Sequence, residues 1–472
     1  MIAARLDSGL RRVVPWAALA ALLLWSPSAL SPDHSSDDAD PEVLNLAWRL
    51  ARGEPLYGEV GSPPWVVNPY TPLYLFLVSL GLKLTGLSYL PARFVSLAAT
   101  LAVVIALAMV SRQVTGSIRA GLWAACLLTL VPAVLLNEAR PHPQMLAVAL
   151  SLWSFVAFSS RRTLPSEVVS PWLAVLAIYT KQTQVTLPVA MLIWLAGHDR
   201  RRMGRYAGWL ALFGLLPLFA LQSATNGQFL HSILAMNLIG YEPGQILPLL
   251  VDQAGALFPF IALALVRLGQ RWQNGQLEPV DFYFGALTLT TVASLGRPGA
   301  YSQYVVEWLW ITALYLLWTG GLRFGSGREA LGALQLALVI CYGLGFMVFY
   351  LVPREQASLR AARPVRELLM TEPGPMISEQ GSFSLFTRGE IHLQLFHFIA
   401  LSRRGLWDPA PLFREVEEHQ LAWVVTKFSL EESAGEGDDQ ARFPPELVQA
   451  LRRNYVRRAQ IGPYFLYRPR TP

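Results

Sequence analysis

The sequence is poor in cysteine: Cys126 and Cys341 are its only two, and they lie far apart inside apolar blocks. Neither a disulfide framework nor a cysteine-based metal site can be built from them, and both read as packing residues. Charge is scarce as well. Asp, Glu, Lys and Arg make up 15% of the 472 residues against 53% hydrophobic, and the apolar residues come in blocks of membrane-spanning length, which excludes an ordinary soluble two-domain protein. No P-loop, HExxH, CxxC or GxSxG occurs, so ATP-driven transport, zinc proteolysis and serine hydrolysis have no local support. The net charge of +6 is spread over short basic clusters between apolar segments rather than over one face. The implied partner is therefore a lipid bilayer, and not nucleic acid.

The first apolar block, about 13–30, follows Arg5, Arg11 and Arg12, which puts its amino end in the cytoplasm and its far end outside. Retained as a helix or removed as a leader, it leaves the following loop on the same outer side. The stretch 70–87 is apolar but short and interrupted by Lys83 and glycines. If it crossed the membrane, Arg112, Arg119, Arg161, Arg162, Arg200, Arg201, Arg202, Arg205, Arg267, Arg271, Arg323 and Arg328 would all face outward, so it reads as a juxtamembrane helix on the outer surface. The remaining spans fall at about 92–110, 119–136, 143–160, 169–181, 183–197, 205–222, 246–266, 281–295, 302–318 and 331–352. The segments flanking Lys181 are short enough to be a re-entrant pair or two tilted helices. The expectation is an all-α polytopic membrane protein of about eleven spans.

After Val352 the composition turns charged and rich in Gly and Pro. Apolar runs at 376–378, 421–428 and 464–467 alternate with helix-like stretches near 390–402 and 445–454, which predicts a small α/β extracytoplasmic domain over 353–472. The EESAGEGDD run at 431–439 reads as a solvated loop within it.

With that topology, four outward connections carry the polar residues. They are the acidic run at 31–42, holding Asp33, Asp37, Asp38, Asp40 and Glu42; NEARPHPQ, with Glu138, Arg140, His142 and Gln144; TKQTQ, with Lys181 and Gln182; and GRPGAYSQYVVE, with Arg297, Tyr301, Gln303, Tyr304 and Glu307. Carboxylates at a membrane boundary can deprotonate a hydroxyl or amine or hold a divalent metal, while Arg and Lys suit phosphate. A bland reading stands beside each: a solvated acidic loop, cations snorkelling to headgroups, a histidine ending a helix. Glu307 resists it, because a carboxylate inside an apolar helix calls for a partner such as Lys181 or Arg140. Two other classes compete with an enzyme. One is a secondary transporter or a lipid or polysaccharide flippase, but that should show an inverted repeat with polar groups at the midplane, and none is found. The other is a non-catalytic subunit of an envelope-polymer assembly, which has no need of acids and cations together.

Several motifs carry a resemblance. The Asp cluster is followed by AWRLARGEPLY (Ala47 to Tyr57) and NPYTPLYLFL; then come PARFVSL, YTKQTQV, GRPGAYSQYVVE and a tail running from Ser378-Glu379 to GPYFLYRP. Together they resemble the GT-C membrane glycosyltransferases, in particular the bacterial group similar to protein O-mannosyltransferases and the lipid A aminoarabinose transferase. The resemblance covers nearly the whole chain. It departs from the family pattern at Arg140, which is followed by Pro141 and His142 where an acidic residue would stand, and at Gln303, which replaces an Asn. It implies a transmembrane catalytic domain over 1–352 with its outer loop at 31–91, in the inner membrane with a cytoplasmic amino terminus. It further implies a polyprenyl-phosphate sugar donor, an extracytoplasmic acceptor and inverting transfer. Asp38 or Asp40, with Asp37 behind them, would be the general base, and Arg140, Lys181 and Arg297 would steady the leaving phosphate. A divalent metal ion is a possible cofactor.

Overall fold

The computed structural model describes residues 2–35, 37–160, 164–320, 329–432 and 442–470. Arg161, Arg162, Arg323 and Arg328 of the basic connections, and residues 433–439 of the solvated loop, lie outside the described residues. In chain order the helices are α1 (Ile2–Ala29), α2 (Ala39–Ala51), α3 (Leu73–Thr85), α4 (Leu90–Thr115), α5 (Arg119–Thr129), α6 (Pro132–Glu138), α7 (Gln144–Ser159), α8 (Leu164–Thr180), α9 (Thr186–His198), α10 (Arg200–Ala224), α11 (Gln228–Leu234), α12 (Ile246–Ala254), α13 (Phe258–Gln273), α14 (Pro279–Ser294), α15 (Ser302–Trp318), α16 (Glu329–Phe346) and α17 (Val352–Leu369).

Among the described residues, Leu90–Thr115, Arg200–Ala224, Pro243–Gln273 and Leu334–Leu369 are long and apolar enough to cross a membrane, and the bent pair α5 and α6 adds a fifth span if counted as one. The other segments behind the expected eleven have shorter apolar runs, including Arg12–Pro27 within α1. The 16 residues of α7, for instance, rise only about 24 Å against a hydrocarbon core of about 30 Å. The run expected as one span over 119–136 bends by 95° between its two halves. Pro132 stands at the start of α6, and without an amide hydrogen it cannot continue the ladder of α5.

Large apolar side chains are exposed on α3 (Phe76, Leu80, Leu84), α4 (Phe94, Leu101) and α10 (Leu215, Leu216, Phe219). Hydrocarbon accepts such surfaces where water would not. Cys126 is half-buried, whereas Cys341 is exposed on α16 rather than packed. The core is continuous along α4, α7, α9, α14 and α15, with Leu107, Leu152, Met191, Phe284 and Ile311 inside it.

The last helical run continues through a π-helical turn at Met347–Leu351 into α17, which meets a mixed four-stranded sheet ordered β1-β2-β4-β3. The strands are β1 (Met376–Ser378), β2 (Trp423–Thr426), β3 (Tyr455–Ile461) and β4 (Tyr464–Pro469), with β1 parallel to β2 and the other pairs antiparallel. Alternation assigns the faces. Met376, Trp423, Val425 and Leu466 pack on Ala361, Val365 and Leu369 of α17. Their neighbours Ile377, Val424 and Tyr467 turn the other way, onto the helix Leu395–Arg403. The expectation of strands misses β3, because it is an edge strand with adjacent charges at Arg457 and Arg458 and mostly exposed side chains.

The basic connections at Arg112 and Arg267 lie away from the cavity described next. Arg93, near the start of α4, lines that cavity, and Arg112 follows nineteen residues later on the same helix, about 28 Å further along the axis. Likewise Tyr304 at one end of α15 lines the cavity, while Thr319 beyond the other end accepts a hydrogen bond from Arg267 at 3.0 Å.

Candidate active site

The 31–72 loop, one set of helix ends and the sheet-bearing region enclose a cavity of about 810 Å³. Every residue expected at the site except Glu138 and Glu307 lines it: Asp37, Asp38, Asp40, Arg140, His142, Lys181, Gln182, Arg297, Tyr301, Gln303 and Tyr304.

The acids sit at the start of α2, with Asp38 at its N-cap and Asp40 and Glu42 in its first turn, where the positive end of the helix dipole favours carboxylates. Asp40 is buried; one of its oxygens accepts from Ser35 Oγ at 2.7 Å and the other from Arg140 Nε at 2.7 Å. Arg140 also donates to Asp37, whose same oxygen takes the Ala39 amide at 2.9 Å. Asp38 turns to the sheet region, where Lys427 Nζ lies 2.5 Å and Arg442 3.2 Å away. Side-chain exposure separates the three: 37% for Asp37, 20% for Asp38 and 4% for Asp40. Burial pushes Asp40 up to about 6 against the opposing pull of Arg140, so it is ionised at neutral pH. Arg140, expected to face phosphate, is instead committed to Asp37 and Asp40.

The cations elsewhere in the cavity are arranged differently. Lys181 is buried, donates to the Gln144 amide oxygen, and holds its Nζ 5.1 Å from the centre of the Tyr304 ring. Arg297 donates to the Asn237 carbonyl at 2.9 Å and to the Asn237 side-chain oxygen at 3.2 Å. Asn237 and Gln182 both donate to the Pro69 carbonyl at 2.9 Å, which ties the acidic loop to this side. Among the described residues neither Lys181 nor Arg297 forms an ion pair with a carboxylate. His142 Nε2 is 3.3 Å from the Tyr70 hydroxyl, and Gln303 donates to the Gly299 carbonyl at 3.4 Å. Tyr301 is 46% exposed at the cavity edge.

Two expectations are corrected. Glu307 takes its hydrogen bonds from Gln184 Nε2 and the Tyr283 hydroxyl, both at 2.7 Å, and forms no direct ion pair with Lys181 or Arg140, so neutral donors satisfy the hydrogen bonding of this buried carboxyl. Glu138 is buried away from the cavity and accepts from the Thr129 hydroxyl at 2.8 Å.

Sequence reasoning counts Glu42 in the acidic run without giving it a role and misses Glu379, His397, Lys427 and Arg442 as site residues, and all five also line the cavity. Glu42 carried a signal, since it stands one helical turn after Asp38. The others come from the carboxyl-terminal region, where no local pattern marks them. The Glu379 carboxylate accepts the Lys427 amide at 2.7 Å, and burial pushes Glu379 up to about 7. Among the described residues no three His, Cys, Asp or Glu side chains converge as a metal-ligand group. With Asp37 and Asp40 on Arg140 and Asp38 on Lys427, this donor set does not fit a divalent ion.

The architecture has solved counterparts. ArnT from Cupriavidus metallidurans matches over 96% of this chain and 97% of its own, with TM-score 0.64 and 13% identity in the apo state and TM-score 0.63 and 11% identity bound to undecaprenyl phosphate. The Archaeoglobus fulgidus oligosaccharyltransferase matches over 98% of this chain and 74% of its own, with TM-score 0.56 and 11% identity. Identities this low make the likeness one of fold. The fold is thus similar to that of these two membrane proteins, in keeping with the resemblance the motifs carry. More particularly, the family model for dolichyl-phosphate-mannose-protein mannosyltransferase matches residues 68–223. No curated protein matches the sequence.

Proposed function

We propose that the protein transfers a sugar from a polyprenyl-phosphate carrier to an extracytoplasmic acceptor, a lipid, glycan or protein, at the outer face of the inner membrane. The observation that carries this reading is the division of charge in one cavity. The carboxylates lining the cavity at the start of α2 are held by Arg140, Lys427 and Arg442, while Lys181 and Arg297 form no ion pair with a carboxylate among the described residues. A buried ammonium without a carboxylate is a binding site for an anion, and a phosphodiester supplies one. ArnT, whose fold is similar, has been captured with undecaprenyl phosphate.

Asp37 is the general base in this scheme. It has the most exposed carboxyl group of the three and pairs with Arg140, whereas Asp40 is enclosed and Asp38 is held by Lys427 and Arg442. The acceptor hydroxyl or amine gives its proton to Asp37 as its oxygen or nitrogen bonds to the anomeric carbon. The bond from that carbon to the phosphate oxygen breaks, and its electron pair leaves on polyprenyl phosphate, where Lys181 and Arg297 meet the growing charge. The scheme places residues 1–352 in the transmembrane catalytic unit and 353–472 outside. The test is transfer of radiolabel from a panel of polyprenyl-phosphate sugars into an envelope extract. Label should move with the native protein and not with Asp37→Asn; no transfer from any member of the panel would overturn the reading.

A further inference from the structure

One part of the cavity wall takes no part in the scheme above. Glu42 of α2 faces His397 of the helix Leu395–Arg403, with the carboxylate oxygen 3.9 Å from Nδ1, too far for a hydrogen bond. His397 Nδ1 is buried and has no hydrogen-bond partner. Phe396 lines the cavity beside them, its ring packed on the 297–300 turn so closely that a Cβ at Gly299 would come within 2.8 Å of it. Gly299 also has φ +72°, so both the turn and the ring position depend on a residue without a side chain. Two chain segments distant in sequence thus bring together a carboxyl group, an imidazole and an aromatic ring, with a third, the 297–300 turn, behind the ring, and the carboxyl and imidazole are not hydrogen-bonded to each other.

Position along α2 says what this group can read. Glu42 is four residues beyond the N-cap Asp38, about 6 Å along the helix axis, which is the span of one sugar ring. An unpaired, buried imidazole nitrogen beside a carboxyl group and an aromatic ring in a cavity wall is suited to hydroxyl groups on a partly apolar ring. Burial pushes Glu42 up to about 8 and His397 down to about 4. Near neutral pH both are then uncharged, which favours hydroxyls over an ammonium group.

We infer that Glu42 and His397, backed by Phe396, form the subsite that binds the hydroxyl groups of the glycosyl ring being transferred, and so select the sugar. The inference rests on the proposed donor. It is separable from that proposal because it concerns the sugar and not the carrier phosphate.

The experiment is equilibrium binding to the full-length protein in nanodiscs, with no turnover required. The probes are undecaprenyl phosphate alone and undecaprenyl phosphate carrying a hexose, a pentose or an N-acetylhexosamine. The native protein should bind at least one glycosylated probe tenfold or more tighter than the bare carrier. Glu42→Gln and His397→Asn should each erase that difference while leaving bare-carrier affinity within about twofold, which also certifies their folding. A difference that survives both substitutions, or bare-carrier binding that falls as far as glycosylated binding, would overturn the subsite. If the native protein binds the bare carrier but no glycosylated probe more tightly, the subsite is refuted and the phosphate site stands. If it binds neither, the donor proposal fails and the subsite falls with it.

Discussion

Replacing each acid at the start of α2 by Asn should separate chemistry from stability. Asn keeps the size and most of the hydrogen bonding of Asp but cannot take a proton. For Asp37→Asn the rate should fall about 10²–10⁴-fold, the usual contribution of a general base, or about 3–5 kcal/mol on the barrier. Its stability should change by only about 1 kcal/mol, since the side chain is 37% exposed and Arg140 retains Asp40. Asp40→Asn is the converse: it removes the charge from a buried pair with 2.7 Å between Asp40 and Arg140, and breaking such a pair costs about 3–5 kcal/mol of stability. Asp38→Asn should be intermediate, and Asp33→Asn, at a residue outside the cavity wall that pairs with Arg366, should be tolerated. The assay is single-turnover transfer by purified, monodisperse protein, with thermal melting and donor binding measured on the same samples. Turnover of Asp37→Asn within tenfold of native would refute its role. A fully stable Asp40→Asn with abolished turnover and intact donor binding would move the base to Asp40.

Three other outcomes are expected. Lys181→Met and Arg297→Gln should each weaken donor binding about 10–100-fold with a smaller effect on acceptor KM, because a hydrogen bond to a charged group contributes about 1.5–3 kcal/mol; unchanged affinity for undecaprenyl phosphate would show that these cations hold only protein groups. In a background lacking Cys126 and Cys341, a cysteine at Arg201 should resist a membrane-impermeant thiol reagent in intact cells, whereas one at Thr225 should react; the opposite pattern would invert the site. Melting temperature should fall as pH rises from about 6.5 to 8. Glu42 and Glu379 are pushed up to about 8 and 7, so in this window the folded protein holds protons that the unfolded chain has released, and folding loses on the order of 1 kcal/mol per pH unit for each proton so held. His34 and His397, lowered to about 4, act with the opposite sign only below about 6.5. Glu42→Gln should flatten the upper half of this slope, and a melting temperature that rises with pH across the window would contradict the burial of both acids.

What the sequence makes legible is local. Apolar blocks locate α4, α10 and the last helical run, since hydropathy over about twenty residues needs no partner to be read. The short apolar runs that mark β1, β2 and β4 are equally local, and β3, with adjacent charges at Arg457 and Arg458 and mostly exposed side chains, has no such run. The break between α5 and α6 was available in Pro132 but was outweighed by the apolarity around it. Pairing is another matter. Arg140 reaches Asp40 across 100 positions and Lys427 reaches Asp38 across 389, and no periodicity connects residues so far apart. The same limit explains Glu307, for which electrostatics alone proposes a cation, while the packing of α14 against α15 supplies Tyr283 and the turn between α8 and α9 supplies Gln184.

The long-range pairs also explain how several acids can share one helical turn. Two carboxylates about 6 Å apart repel by about 3 kcal/mol at an effective dielectric constant of about 20, and Asp37, Asp38 and Asp40 crowd together at the start of α2. Left alone, such a cluster would hold protons and lose its value as a base. Here it is divided between two cation clamps. Arg140, from the turn between α6 and α7, takes Asp37 and Asp40, and Lys427 with Arg442, from the region beyond α17, takes Asp38. One clamp belongs to the membrane helices and the other to the sheet-bearing region. The charge of Asp37, Asp38 and Asp40 is therefore balanced from both halves of the chain, and the sheet region supplies part of the cavity wall rather than standing apart from it.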